Sequence, residues 1–252
     1  MYVTMDNICN TVIKMLHQLL LIIALLTCSM AHAWPNITAK AWLVADGNGK
    51  ILQEENMHEV RSIASITKLM TVMVVLDAKQ DLDEYIKPYT RRELIKLAMV
   101  KSDNKSAQSL CQHYPGGTVY CVKAMNTKAA ELGMIKTKFH EPTGLSVFNV
   151  STASELVKLV IAAKTYPEIV EDSKTSQVKI QIRKKWLVFN NTNPIIGKRH
   201  EFLVSKTGWI TVSGGCIVMM LNTDVGQRIV VLLGSKNTRT RIPEAEFIAE
   251  KY

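Results

Sequence analysis

The ends of this chain read as strands and its middle reads as helix, and that separation limits the fold more than any other feature of the sequence. Residues 37–44 are rich in β-formers, Asp46-Gly47-Asn48-Gly49 is a strong turn, and residues 50–53 resume an extended pattern. The combination predicts a hairpin. An isolated hairpin is marginal in water and needs further strands. The next strand-like segments come late in the chain, over residues 178–182, 186–189, 202–207, 215–221 and 229–234. Both ends are therefore expected to meet in one sheet. Between them, Thr90-Arg91-Arg92-Glu93 is a capping box that opens a helix through Leu94, Leu97 and Ala98. Helical runs over 107–111, 122–132 and 152–163 follow; Pro115-Gly116-Gly117 breaks the first, Gly133 stops the second, and the third ends before Pro167. Pro243-Glu244-Ala245-Glu246 starts a closing helix, with proline at a tolerated first-turn position.

The chemistry-bearing stretch is Arg61-Ser62-Ile63-Ala64-Ser65-Ile66-Thr67-Lys68, followed by an apolar run over residues 69–76. If that run is a helix reaching about Ala78, Ser65 lies near its N-terminus and Lys68 lies one turn on, on the same face. A serine hydroxyl is a weak nucleophile until a base takes its proton. An ammonium becomes such a base when burial or neighbouring cations lower its pKa. Unpaired N–H groups at a helix start also favour negative charge developing there. Alone, Ser-x-x-Lys is weak evidence and far more often marks an N-cap serine with a solvated lysine. Two later stretches change that: Ser102-Asp103-Asn104 follows the second helix pattern, and Lys206-Thr207-Gly208 ends a strand-like segment. The three motifs, in this order, are those of penicillin-binding proteins and class A β-lactamases.

The chain has 252 residues, enough for one large or two small domains, and a formal charge of +9. That charge does not point to nucleic acid. The basic residues are spread along the chain, no nucleic-acid-binding motif occurs, and the densest cluster, Arg183-Lys184-Lys185, reads as a solvated strand edge. Lys14, the apolar run over 19–26 and Ala31-His32-Ala33 match a secretory leader, with cleavage expected after Ala33. The apolar run is short for a membrane span, which needs about 20 residues. Removal of residues 1–33 takes Cys9 and Cys28 with it and leaves Cys111, Cys121 and Cys216. An oxidising compartment permits a Cys111–Cys121 bridge, and three buried thiols remain an equal alternative. His58, His113, His140 and His200 are scattered, so no metal site is expected.

From Ala41 to its end the chain resembles the serine-type D-alanyl-D-alanine peptidases, the low-molecular-mass penicillin-binding proteins, and within them the periplasmic D-alanyl-D-alanine endopeptidases. The resemblance rests on the stretches Ile63 to Met70, His113-Tyr114-Pro115-Gly116-Gly117, Glu141-Pro142-Thr143-Gly144-Leu145-Ser146, Asn190-Asn191-Thr192-Asn193 and Lys206-Thr207-Gly208. It implies an α/β fold of the DD-peptidase/β-lactamase type over residues 34–252: an antiparallel sheet from both ends, flanked by helices, beside an all-helical region at about 80–165. By the same resemblance Ser65 attacks the D-Ala carbonyl, Lys68 takes its proton, Ser102 relays a proton to the leaving amine, and Asn104 holds the substrate amide. Lys206 would hydrogen-bond Ser102 and hold down the pKa of Lys68.

The implied substrate-binding set is Thr207, Gly208, Trp209 and Arg241. The N–H groups of Ser65 and Trp209 would form an oxyanion hole, and Thr207 and Arg241 would take the terminal carboxylate. Arg241 could equally be a surface arginine near a helix start. No cofactor is implied. The implied partners are peptidoglycan stem peptides, with β-lactams as covalent inhibitors, in the periplasm. With the leader removed and the chain ending at Tyr252, no membrane anchor is expected. The chain departs from the family in the short connection 81–89, where relatives carry extra strands; a more open cleft is expected there. Two rivals share the motifs. A β-lactamase would need a base for deacylation, for which Glu141 is the nearby candidate, although its loop reads as scaffold. The other is an inert β-lactam- or peptidoglycan-binding module.

Overall fold

In the computed structural model residues 37–252 are described; the expected leader, with Cys9 and Cys28, lies outside the described residues. Ala41–Asp46 (β1) and Ile51–Glu55 (β2) form the expected hairpin. Asp46 Oδ1 closes its turn by accepting from Asn48 N and Lys50 N at 2.9 and 3.0 Å. Arg61–Ser62 (β3) leads into a 3-10 turn, Ala64–Ile66, and then into helix α1, Thr67–Asp77. A two-stranded ribbon, Tyr85–Ile86 (β4) with Tyr89–Thr90 (β5), spans the short connection. Helix α2, Arg91–Lys96, starts on the predicted capping box: Glu93 N donates to Thr90 Oγ1 at 3.2 Å and Thr90 N to Glu93 Oε2 at 2.8 Å.

A π-helical turn, Leu97–Lys101, carries α2 on to Ser102. Asn104–Gln112 (α3) and Gly117–Glu131 (α4) complete the helical middle. The structure decides between the two cysteine readings: Cys111 and Cys121 form a disulfide, with Cα atoms 5.4 Å apart, that joins α3 to α4. Cys216 is free and buried. Val150–Ser151 (β6) pairs with β3 and precedes helix α5, Ala153–Ala163. Pro167 does more than end that run. It is the first residue of another helix, α6, Pro167–Lys174, because proline fits the first turn, where its missing N–H is not needed.

The remaining strands are Gln177–Ile182 (β7), Lys185–Asn190 (β8), Glu201–Ile210 (β9), Gly214–Thr223 (β10) and Gly226–Ser235 (β11), followed by helix α7, Arg241–Lys251. Five of the strands form one antiparallel sheet in the order β2-β1-β11-β10-β9, with Ala41 opposite Leu233. Both ends of the chain thus meet as expected. The expectation that every late strand joins them is corrected: β7 and β8 form a separate hairpin. The pattern on β7 explains it. Val178 and Ile180 are buried against Leu97 and Val100 of the π-helical turn while the residues between them are exposed, so the hairpin has its own small core.

The sheet's central strands are buried on both faces, which is why they read as unbroken apolar runs. On β10, Cys216, Val218 and Met220 face the cluster containing α1 and α5, while Ile217, Met219 and Leu221 face Ile242, Ala245, Ile248 and Ala249 of α7. Helix α1 is buried from Thr67 to Val75, so it is apolar nearly all round rather than striped. Each fully buried Leu, Met or Val there contributes roughly 1.5–3 kcal/mol through burial. Arg91 is also fully buried. It donates to Asp81 O at 3.2 Å, reaches His113 O and ion-pairs with Glu84, tying the short connection to the end of α3.

Candidate active site

Ser65 sits in the 3-10 turn ahead of α1 rather than in an N-cap position, and Ala64 beside it has φ +47. L-residues avoid this left-handed region, so the turn is held by its surroundings. Two glycines do the holding. A Cβ on Gly144, where φ is +85, would lie 2.0 Å from Ala64 O and 2.7 Å from Ser65 N. A Cβ on Gly208 would lie 2.9 Å from Ser65 N and 3.0 Å from Ile63 O. The loop through Gly144 and the Lys-Thr-Gly strand therefore approach the nucleophile turn more closely than any side chain allows.

Lys68 lies one turn further on and is fully buried. Its Nζ has three partners: Ser65 Oγ at 2.9 Å, Asn104 Oδ1 at 2.8 Å and Thr143 O at 2.5 Å. Burial pushes its pKa down from 10.5 to about 8, against the opposing pull of the Glu141 and Asp103 charges. Lys206, on β9, is pushed well below the usual lysine value, first by burial and then by the charges of Lys68 and Arg241. The expectation that repulsion by Lys206 is what holds Lys68 down is corrected in emphasis: burial is the first cause at both lysines, and the mutual repulsion of their charges adds to it. The expected Lys206–Ser102 hydrogen bond is absent as well. Lys206 Nζ donates instead to Thr207 O at 3.0 Å.

Ser102 has φ +58 and lies between the π-helical turn and α3, and Asp103 is the N-cap of α3. Asp103 Oδ2 accepts from Ser106 N and Ser106 Oγ, each at 2.8 Å, which fixes the turn and leaves Asn104 to face Lys68. Thr207 Oγ1 donates to Thr192 Oγ1 at 2.7 Å. Trp209 is half exposed, at 50%. Arg241 is buried and donates from Nη1 to Gly208 O at 2.6 Å, so the surface-arginine alternative does not hold.

One contributor escaped sequence reasoning. The main-chain oxygen of Thr143 accepts from Lys68 Nζ and, at 3.4 Å, from Ser65 Oγ. Glu141 shapes the loop that delivers it, accepting from Thr143 N (2.7 Å), Thr143 Oγ1 (2.6 Å), Gly144 N (2.6 Å) and Asn149 Nδ2 (3.0 Å). The β3–β6 pairing and a 3.1 Å bond from Ile63 N to Asn149 O bring this loop to the nucleophile turn.

A buried lysine against a serine, with a second lysine on the neighbouring strand, is an arrangement for acyl transfer, and comparisons with known proteins agree. The model of the D-alanyl-D-alanine carboxypeptidase family matches residues 28–88 and 82–237. A D-alanyl-D-alanine endopeptidase of Pseudomonas aeruginosa is 39% identical over 227 residues, 81% of this chain and 73% of that protein. One of Escherichia coli is 40% identical over 209 residues, 73% of this chain and 67% of that protein. Among solved structures, penicillin-binding protein D2 of Listeria monocytogenes in its cefotaxime-bound form superposes with TM-score 0.74 at 27% identity, covering 84% of this chain and 96% of that one. The fold is thus that of the DD-peptidases and penicillin-binding proteins, and the protein is a serine-type peptidase. The chain belongs to the D-alanyl-D-alanine carboxypeptidase family.

Proposed function

We propose that this protein hydrolyses D-alanyl peptide bonds of peptidoglycan through an acyl-enzyme on Ser65, and that cross-links are its preferred substrate. The observation that carries the reading is the fully buried Lys68 Nζ at 2.9 Å from Ser65 Oγ. As an ammonium Lys68 donates to all three of its partners. Once it loses a proton, two N–H groups remain for the two carbonyl oxygens of Asn104 and Thr143, which can only accept. The lone pair is then left for the Ser65 hydroxyl, which has a proton to give. Neutral Lys68 takes that proton, Oγ attacks the carbonyl, and the N–H groups of Ser65 and Trp209 stabilise the oxyanion. The C–N bond breaks as the proton held by Lys68 passes through the Ser102 hydroxyl, which gives one proton and takes another, to the leaving amine. Water then cleaves the acyl-enzyme, and Lys206 adds positive charge when protonated. Arg241 holds the Gly208 carbonyl and with it the strand against which the substrate lies; Thr207 takes the terminal carboxylate.

The neutral form of Lys68 increases as pH rises through its pKa of about 8, so the acylation rate should climb across that pH and level off above it. Stopped-flow acylation by penicillin between pH 6 and 10 reads this directly; a rate independent of pH there would remove Lys68 as the base. Sensitivity to β-lactams is supported by the cefotaxime-bound form of the Listeria relative. Against a β-lactamase stands Glu141, whose two carboxylate oxygens are both engaged by loop N–H and hydroxyl donors and so serve as scaffold.

For the preference, the two relatives near 40% identity are both D-alanyl-D-alanine endopeptidases. The connection beside the Ser102 helices is a two-residue-stranded ribbon, a low wall that suits a bulky cross-linked peptide. Export to the periplasm follows from the leader pattern and the substrate. Among the described residues no helix is long and apolar enough to cross a membrane. The test is to incubate the protein separately with cross-linked muropeptide dimers and with monomeric pentapeptide and compare initial rates by chromatography. Faster cleavage of dimers is expected. Fast release of free D-Ala with intact dimers would make it a carboxypeptidase.

A further inference from the structure

At the end of β9 away from Lys206, three side chains that the proposed reaction does not use come together. His200 immediately precedes β9, and Glu246 and Glu250 lie one turn apart on α7. One ligating atom from each lies within 4.8 Å of the others. His200 Nε2 is 3.8 Å from Glu246 Oε1 and 3.4 Å from Glu250 Oε1. These are not hydrogen bonds. His200 Nε2 and Glu246 Oε1 are both shut off from solvent and neither has a hydrogen-bond partner. A carboxylate oxygen can only accept, so two carboxylates gathered about an unpartnered ring nitrogen lack something positive between them. Arg199 does not fill that place: its Nη1 and Nη2 stand 3.8 Å from Glu246 Oε1 and Glu250 Oε1, and its side chain is 64% exposed.

We infer that His200, Glu246 and Glu250 form a binding site for a divalent transition-metal ion, Zn2+ by the chemistry of the ligands. Zinc holds imidazole nitrogen and carboxylate oxygen at about 2.0–2.2 Å, which places tetrahedral ligands about 3.4 Å apart. The observed separations of 3.4 and 3.8 Å match that edge with a small adjustment of side chains. Calcium and magnesium prefer all-oxygen shells, so the imidazole selects against them. The T-shaped contact of His200 with Phe202, centroids 6.3 Å apart, orients the ring. A surface cavity of about 360 Å³, lined by Asp224 and Thr223, adjoins the cluster and leaves room for a water or Asp224 in the fourth position. The ion is a clamp and not a catalyst. His200 is six residues from Lys206 along β9, roughly 20 Å at strand spacing. It would pin the start of the strand that carries Lys206-Thr207-Gly208 to the helix whose first residue is Arg241.

The full-length protein is stripped with a chelator and titrated calorimetrically with zinc chloride, alongside Glu250→Gln and His200→Gln; cobalt chloride serves as a spectroscopic probe. The wild type should hold one zinc, with affinity falling roughly tenfold or more in each variant. Zinc should raise the melting temperature of the wild type alone. Cobalt should give the strong visible absorption of a tetrahedral site. Metal-free melting of Glu250→Gln, the variant at the most exposed ligand, should stay close to wild type. Absence of saturable zinc binding would mean that a protonated His200 simply pairs with the two carboxylates, and would overturn the site. Zinc binding that both variants retain would place the ion elsewhere and would overturn it equally.

Discussion

Lys68→Arg should form the penicilloyl-enzyme at least roughly a thousandfold more slowly than the wild type, the range lost with a general base. A guanidinium stays charged at any working pH and has no lone pair to offer Ser65. The geometry adds to the loss. Lys68 is fully buried, and its three acceptors fit one ammonium, so a larger planar group should displace Thr143 O or Asn104. Ser65→Ala run in parallel sets the floor, since it removes the atom that becomes acylated and should give no covalent adduct at all. Intact-mass spectrometry after incubation with penicillin reads both variants. A thermal melt near the wild-type value shows that the fold survives. Wild-type labelling of Lys68→Arg would remove Lys68 from the chemistry, and labelling of Ser65→Ala would remove Ser65.

Gly144→Ala should damage the site from outside it, by a single methyl group. Its Cβ would stand 2.0 Å from Ala64 O and 2.3 Å from Ala64 C, in a backbone conformation with φ +85. Left-handed strain costs about 1–2 kcal/mol for an alanine. The clash is with backbone, not with a side chain that could swing away, so Ala64 and Ser65 must move or the loop must lift. A total destabilisation of about 2–4 kcal/mol is expected. Displacing Ser65 by even an ångström should cut acylation about a hundredfold. Gly117→Ala separates the two contributions. It also has positive φ, +77, yet nothing lies within 4 Å of its would-be Cβ. That variant should lose about 1–2 kcal/mol and keep its acylation rate. Denaturant unfolding and penicillin acylation of both variants check the contrast; equal acylation rates would show that the Gly144 loop does not position Ser65.

The features legible in the sequence were those written in local chemistry. The Asp46 turn, the Thr90 capping box and the unbroken apolar runs of the sheet each depend on residues adjacent in the chain, and they lie where that chemistry placed them. The three motifs are also local, and the structure brings Ser65, Lys68 and Asn104 into contact. What was not legible is set by tertiary packing. The alternation of β7 shows that one face is buried but not against what, and Leu97 and Val100 proved to be the neighbours. Pro167 closes one helical pattern and opens another, and its own chemistry suits both. Arg91 looks like a surface residue of a first helical turn, while its burial comes from acceptors on Asp81, Glu84 and His113. Thr143 acts through a carbonyl oxygen, an atom every residue has, so no residue type could mark it.

The pairing of Ala41 with Leu233 has a consequence in time. Strand β1 is made well before β11, its neighbour in the sheet. Contacts this distant in sequence form slowly, after the local helices. Until β11 and β10 arrive, β9 has no sheet to join and Gly208 cannot press against Ser65. Growing chains therefore carry the nucleophile from an early stage without the strand that completes its surroundings. A peptidase organised in this way should be inert until β1 and the late strands have met.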